Sequence, residues 1–367
     1  MPGNTNQHFV PQFYFRHFAD DPKRISLLLK SNGNVINHAA IKGQCSKKGF
    51  YGPAQIEKAV SEAEGKYCQG VRAALEVAWV KSAPFFNQDE YVWLLQGIVF
   101  QRCRTAAEAR RRAMAAEDLR LFWLRKHIEE RNDVVRRDEI LRAIDRKEIS
   151  ITLPRSVVVA QSIVDSLPNT FLISDLSLSL IRNRTDYPFV FSDAPVVFYN
   201  KYCELVRNRG VLGMQCPGLL IFYPLDNWTC AILYDRDVYR GDICNHIQFD
   251  AHLRSDISEI NKLQLHNAQD AIYFGFPQHE EYVSSLWNAH KPMLKPRESG
   301  CRVNPTLLVD GKPYDGDMVQ LMEPQLDTTL NLSFVDCDQI EQHEYVYRPR
   351  DAELLASAKS NLEDEAG

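Results

Sequence analysis

The stretch Pro188-Phe189-Val190-Phe191-Ser192-Asp193-Ala194-Pro195-Val196-Val197-Phe198-Tyr199 marks the point where the chain changes character. Two short runs of β-branched and aromatic residues flank a Ser-Asp pair and a proline, which reads as strand, turn, strand. Residues 218–223 and 229–234 repeat the pattern, each bounded by Pro, Asp, Asn or Gly. Upstream the periodicity is helical. Over 55–81, Ile56, Val60, Ala63, Tyr67, Val71, Ala74 and Ala78 fall on one stripe, ended by Ser82-Ala83-Pro84. A longer helix is expected from Gln88 towards Lys126, with Asp89 and Glu90 in its first turn complementing the helix dipole. Further helices are expected over 134–146 and 154–166. Near the start, Val10 to Phe18 reads as a short helix with Pro11 at its first position, stopped by residues 19–22. Runs at 24–29 and 35–41 around Ser31-Asn32-Gly33-Asn34 then form a β-hairpin. After the strands, Ile257, Ile260, Leu263, Leu265, Ala268 and Ala271 mark a helix over 255–273. Weak strands are expected at 306–308 and 330–334, with a frayed acidic tail over 361–367. The fold class is α+β: a helical N-terminal half with a β-hairpin, packed against a mixed or antiparallel sheet from the second half.

Composition narrows the class without naming a reaction. With 45% hydrophobic and 25% charged residues, the 367-residue chain is neither disordered nor fibrous. A formal charge of -5 neither demands nor excludes a nucleic-acid partner. The longest apolar run, at 91–100, is about half of the ~20 residues a membrane span needs, so no membrane role is expected. No basic segment followed by an apolar one opens the chain. Nine cysteines, odd in number and never spaced C-x-x-C, read as buried thiols of a cytoplasmic protein.

Chemistry is sought where polar residues interrupt apolar contexts. His8 precedes the first helix, while Gln12 and Arg16 are four apart on one face of it. They either meet a substrate near free helical N–H groups or close the entry to the core by bonding a neighbouring backbone. Gln101, Arg104 and Thr105 continue the buried stripe of the second long helix, so each needs a polar partner. That partner is either a ligand phosphate or ribose, or a structural network with His8 or Asp193. Ser192 and Asp193 end an apolar strand, a rigid and open place for an active-site carboxylate. Asp193 could bind a divalent metal, serve as a base or cap a turn. No nucleophile-elbow motif surrounds Ser192. On the late helix, Asn261 lies beside Ile257 and Ile260, so it either lines the same pocket or bonds helix to sheet. Between Arg102 and Arg155, 15 Lys plus Arg stand against 10 Asp plus Glu, which makes helices 102–155 a candidate face for nucleic acid or a nucleotide. Interleaved acids equally allow a solvated surface.

These stretches together resemble the bacterial family known as domain of unknown function 4238. Its opening signature, His-aromatic-Val-Pro-Gln-Phe-Tyr-hydrophobic-Arg-x-Phe, is matched by His8 to Phe18. A Gln-x-x-Arg-Thr stretch is similar to Gln101 to Thr105, and Pro188 to Val196 follows the family's Pro-Phe-hydrophobic-x-Ser-Asp-x-Pro-Val strand. Tyr223-Pro224-Leu225 and Asn261 resemble later family features. Ala194 stands where the family often has Asn, so any contact made by that Asn is missing. The resemblance covers about 5–280 and implies a domain over 1–285, helical to about 168 and sheet-forming over 169–285. Residues 286–367 then form a C-terminal extension, a possible surface for a protein partner.

The leading expectation brings His8, Gln12, Arg104 and Asp193 to one cleft. His8 would be the acid/base and Asp193 would orient water or hold Mg²⁺ or Mn²⁺, with no organic cofactor. Gln12, Arg16, Gln101, Arg104, Thr105, Ser192 and Asn261 would bind the substrate. Such a site would make the protein a hydrolase of a phosphodiester or nucleotide, in the manner of a nuclease-type toxin or phage-defence effector. The alternative is a non-catalytic module that recognises a protein or nucleic acid. A peptide or glycan hydrolase lacks motif support, since neither paired carboxylates nor H-E-x-x-H spacing occurs.

Overall fold

The computed structural model describes residues 6–80, 86–130, 133–207, 209–294, 300–304, 308–309, 312–313, 318–323 and 325–357. Strand β1 (Asn6–His8) leads through Phe9-Val10 and Pro11 into helix α1 (Gln12–Phe18). The helix ends at Ala19, which adopts extended backbone ahead of Pro22. Strands β2 (Arg24–Leu29) and β3 (Val35–Ala40) form the expected hairpin. Its turn holds Gly33 at φ +75, a left-handed conformation that glycine adopts without a Cβ penalty. The Asn32 side chain accepts from the Asn34 N–H at 3.0 Å and closes the turn. Strand β4 (Ser46–Lys48) returns antiparallel to β1.

The helical part comprises α2 (Ala54–Trp79), α3 (Gln88–Cys103), α4 (Ala106–Glu129), α5 (Val134–Asp145) and α6 (Arg155–Ser166). Asn87 and Glu90 form a reciprocal capping box that starts α3. The single long helix expected from Gln88 is two. Arg104 and Thr105 interrupt it, and Thr105 turns to extended backbone (ψ 157) so that its side chain can accept the Glu108 N–H as the cap of α4. Threonine favours this role over a helix interior because its hydroxyl competes for backbone groups.

Strands β5 (Ser177–Asn183), β6 (Phe191–Ser192), β7 (Val197–Tyr199), β8 (Leu220–Asp226), β9 (Thr229–Tyr234) and β10 (Gln248–Ala251) follow, then helix α7 (Arg254–Asn267), strand β11 (Ala271–Phe274) and helix α8 (Glu280–His290). A five-stranded sheet has the order β10-β5-β9-β8-β7, parallel only between β10 and β5. A four-stranded sheet, β3-β2-β11-β6, is antiparallel and joins the N-terminal hairpin, through β2, to β11 from far along the sequence. The helix expected through Tyr273 stops at Asn267, since Ala271–Phe274 is needed as the strand between β2 and β6.

Strands β12 (Gly300–Asn304), β13 (Leu308–Val309), β14 (Lys312–Pro313) and β15 (Met318–Met322) complete the elements. Residues 330–334 are not a strand. Leu330, Leu332 and Phe334 are buried in the main core as irregular chain. The expected helix break at Ser82-Ala83-Pro84, Thr306 of the weak strand and the tail over 361–367 lie outside the described residues.

The main core joins the layers, and a smaller cluster around Leu28, Val190, Leu265 and Val283 packs α7 and α8 on the four-stranded sheet. The aromatic face of α1 enters it, with Tyr14 stacked on Tyr223 at 5.2 Å and Phe15 edge-on to Phe191 at 5.1 Å between ring centroids. Such pairs add to the area they bury. Among the described residues, no helix is long and apolar enough to cross a membrane.

Candidate functional site

The polar residues singled out from the sequence gather in two networks. The first surrounds the junction of β1 and α1. His8 Nδ1 lies 3.1 Å from the Gln44 carbonyl, and Gln12 Nε2 lies 3.1 Å from His8 Nε2. A carbonyl can only accept, so Nδ1 carries the hydrogen and Nε2 receives one from Gln12. Arg16 Nη2 donates to Gln12 Oε1 at 3.2 Å and fixes the amide's orientation. Burial lowers the His8 pKa, against the opposing pull of the Gln44 carbonyl and Glu64. Gln101 Nε2 donates to the Phe9 carbonyl at 3.0 Å. Arg104, 1% exposed, donates to Tyr51 Oη at 2.7 Å, to Glu64 and to the His8 carbonyl. Burial alone would lower its pKa, but Tyr51 and Glu64 together raise it. The guanidinium expected to grip a substrate anion is already satisfied inside the protein.

The second network ties α7 to the strand quoted at the outset. Asn261 Oδ1 accepts the Val190 N–H at 2.9 Å, and its Nδ2 donates to the Pro188 carbonyl and Tyr282 Oη, each at 2.8 Å. One turn on, Gln264 Oε1 accepts both N–H and Oγ–H of Ser192, while its Nε2 donates to the Pro195 carbonyl. Asn267 Nδ2 donates to the Ala194 carbonyl at 2.6 Å. Residues three apart on a helix share a face, so three amides can read one extended backbone. Asp193 faces the other way. Its Oδ1 and Oδ2 accept the N–H groups of Gln269 and Asp270 at 2.8 and 2.7 Å, closing the turn from α7 into β11. Burial pushes its carboxyl up to about 6, opposed by those two backbone bonds.

The four residues expected in one cleft therefore divide. His8, Gln12 and Arg104 meet, whereas Asp193 belongs to the α7 turn and no hydrogen bond joins it to His8. Thr105 caps α4, and Ser192 and Asn261 are fully buried with their polar atoms bonded. Each Asp193 oxygen spends one lone pair on a backbone N–H, which ties the carboxylate to the α7 turn. Among the described residues no set of three His, Cys, Asp or Glu gathers as metal ligands.

Open space lies elsewhere, along α4. One cavity, about 700 Å³, is bounded by the end of β2, the first turns of α4, the α7–β11 turn and the end of α8. Its walls include Lys30, Arg110, Arg111, Gln269, Asp270, Trp287 and Lys291. A second, about 400 Å³, shares Arg110 and Gln269 with it and adds Lys47, Arg155 and Glu117. Neither His8 nor Asp193 lines either one. Arg110 is exposed and, among the described residues, makes no hydrogen bond or ion pair. Gln269 Oε1 is buried without a hydrogen-bond partner. Lys291 lies over the Trp287 ring, and Trp287 Nε1 donates to the Lys30 carbonyl at 2.9 Å, which fixes that wall. Cations thus line both cavities around a shared guanidinium. The α7 turn that presents Gln269 is held from behind by Asp193.

Arg110 belongs to the basic run noted in the sequence, where nothing set it apart from Arg111 and Arg112. Lys30, Gln269, Asp270, Trp287 and Lys291 carried no signal there, because the hairpin end, the α7 turn and α8 meet only through the fold. A family model described as Protein of unknown function (DUF4238) matches residues 6–276. No curated protein and no solved structure matches the chain.

Proposed function

The chain belongs to this family, and from that premise we propose that it is a binding module for a phosphate-bearing ligand of the nucleotide or nucleic-acid class, seated in the paired cavities on α4. The observation that carries this reading is Arg110, an unpaired guanidinium shared by both cavities, beside the unmet Gln269 Oε1. Guanidinium suits phosphate because its planar donors match two oxygens at once. Lys291, Lys47 and Arg155 add positive potential at the cavity walls, where low-dielectric surroundings strengthen it.

Hydrolysis of such a ligand is the second reading, favoured by Asp270, an exposed carboxylate among the cations of the larger cavity. It is a different carboxylate from the Asp193 expected from the sequence. A cytoplasmic setting accords with the eight free cysteines among the described residues. The test is titration of labelled RNA, DNA and nucleotides into the purified protein, with and without Mg²⁺ or Mn²⁺, followed by product analysis. Saturable binding that weakens with salt supports the module, and ligand cleavage lost in Asp270→Asn moves the assignment to the hydrolase. Absence of binding to every ligand overturns both.

A further inference from the structure

A second cluster on α3 and α4 has a charge imbalance that the family-matched region does not resolve by itself. Arg102 and Arg111 are 6% and 5% exposed. Arg111 is chelated by Glu108 through Nε at 3.1 Å and Nη2 at 2.6 Å, and Glu108 also accepts Arg112 Nε at 2.8 Å. Arg112 reaches Asp165 at 3.5 Å. Three guanidinium groups therefore face two carboxylates within residues 6–276. The third carboxylate is Glu323, from beyond the matched region, which takes Arg102 Nη2 on Oε2 and lies 3.8 Å from Arg111 Nε through Oε1. Arg102 Nη1 is buried with no hydrogen-bond partner, while its guanidinium stacks 3.8 Å over the Phe198 ring. A carboxylate satisfies part of this site and leaves one donor unmet.

We propose that Arg102 and Arg111 form a phosphate subsite that Glu323 of the C-terminal extension occupies as an internal stand-in. Without Glu323, Arg111 keeps Glu108 but Arg102 becomes a buried charge without a carboxylate, which is strongly destabilising and favours an anion there. Phosphate fits better than carboxylate, since a third acceptor oxygen can meet the unmet Nη1. Arg111 also lines the large cavity and, with Glu323, a neighbouring cavity of about 420 Å³ walled by Ala115, Leu119 and Val158. Glu323 thereby holds the subsite closed against phosphate from that side. This inference does not depend on the occupant of the Arg110 cleft.

The experiment is thermal unfolding of the full chain and its Glu323→Ala variant in inorganic phosphate against chloride at equal ionic strength. Glu323→Ala is expected to melt roughly 5 °C or more below wild type in chloride, and phosphate is expected to restore at least about half of that loss. Wild type is expected to move by less than about 1 °C, its subsite being filled. Equal shifts in both proteins, or a Glu323→Ala variant that melts no higher in phosphate than in chloride, would overturn the proposal. Should Glu323→Ala fail to fold, Glu323→Gln keeps the volume and one acceptor and carries the same comparison. The restoration is expected to persist when Arg110→Glu is added. Its loss would place the phosphate in the cleft and overturn the subsite, whereas failure of nucleotide binding alone would leave the subsite standing.

Discussion

Helices α7 and α4 both turn polar side chains away from solvent, yet they use them in opposite ways. On α7, Asn261, Gln264 and Asn267 bond to the backbone between Pro188 and Val196, so the helix and strand fold as one piece. On α4, Glu108 and Arg111 are satisfied at the first turns, but Arg110 beside them projects unpaired between two cavities. A polar residue in an apolar context is thus more informative about what holds the fold. Availability to a ligand belongs to the ordinary-looking arginine whose partner is missing.

The contrast can be broken most sharply at Arg104, whose side chain makes the most hydrogen bonds in the first network. Arg104→Leu takes the guanidinium donor from the Glu64 carboxylate and Tyr51 Oη, leaving the His8 carbonyl only Tyr51, and is expected to cost about 3–5 kcal/mol in urea unfolding. Unchanged stability, with loss of ligand binding instead, would return Arg104 to the ligand site. Next comes Gln264→Ala, which strands the Ser192 N–H and the Pro195 carbonyl and is expected to cost about 1–3 kcal/mol by the same measurement. A change of only a few tenths would show that the amide ladder does not hold the strand.

Asp193 sharpens the comparison through pH. Its carboxyl is raised to about 6 in the folded protein, so the native state holds a proton that the unfolded state releases near pH 4. Its contribution is fully present below about pH 4 and declines as pH rises to about 6. Wild-type stability relative to Asp193→Asn is therefore expected to fall across that window, a slope measurable by urea unfolding at half-unit steps. A wild-type advantage that rises with pH would contradict this reading. The smallest effect is expected at Arg16, exposed at the end of the His8–Gln12 chain. Arg16→Ala is expected to stay within about 0.5 kcal/mol of wild type, and a larger loss would make that chain more than a surface tie.

Much of this architecture was legible locally. Pro11, the Asn32-Gly33 turn and the 154–166 helix each follow from residues adjacent in sequence. The break at Thr105 was not, because an amphipathic stripe runs across it and only the cap reveals it. Nor was β11, whose Ala271 continues a helical stripe but which pairs with β2 and β6 from distant parts of the chain. Asp193 and Asn261 were correctly marked as unusual, and turn closure and helix-to-sheet bonding were among the alternatives left open for them. The cleft was hidden for a different reason. Its walls come from the ends of four elements, and each wall residue is unremarkable until the others are beside it.

The central claim is that Arg110 receives a phosphate-bearing ligand while contributing nothing to the fold. The direct measurement is fluorescence titration of labelled single-stranded RNA and a labelled nucleotide into wild type and Arg110→Glu, alongside their melting curves. Arg110→Glu is expected to melt within about 1 °C of wild type and to bind at least about tenfold more weakly, the loss shrinking as salt rises. Equal affinity in the two proteins, or a variant that loses binding only by unfolding, would contradict it.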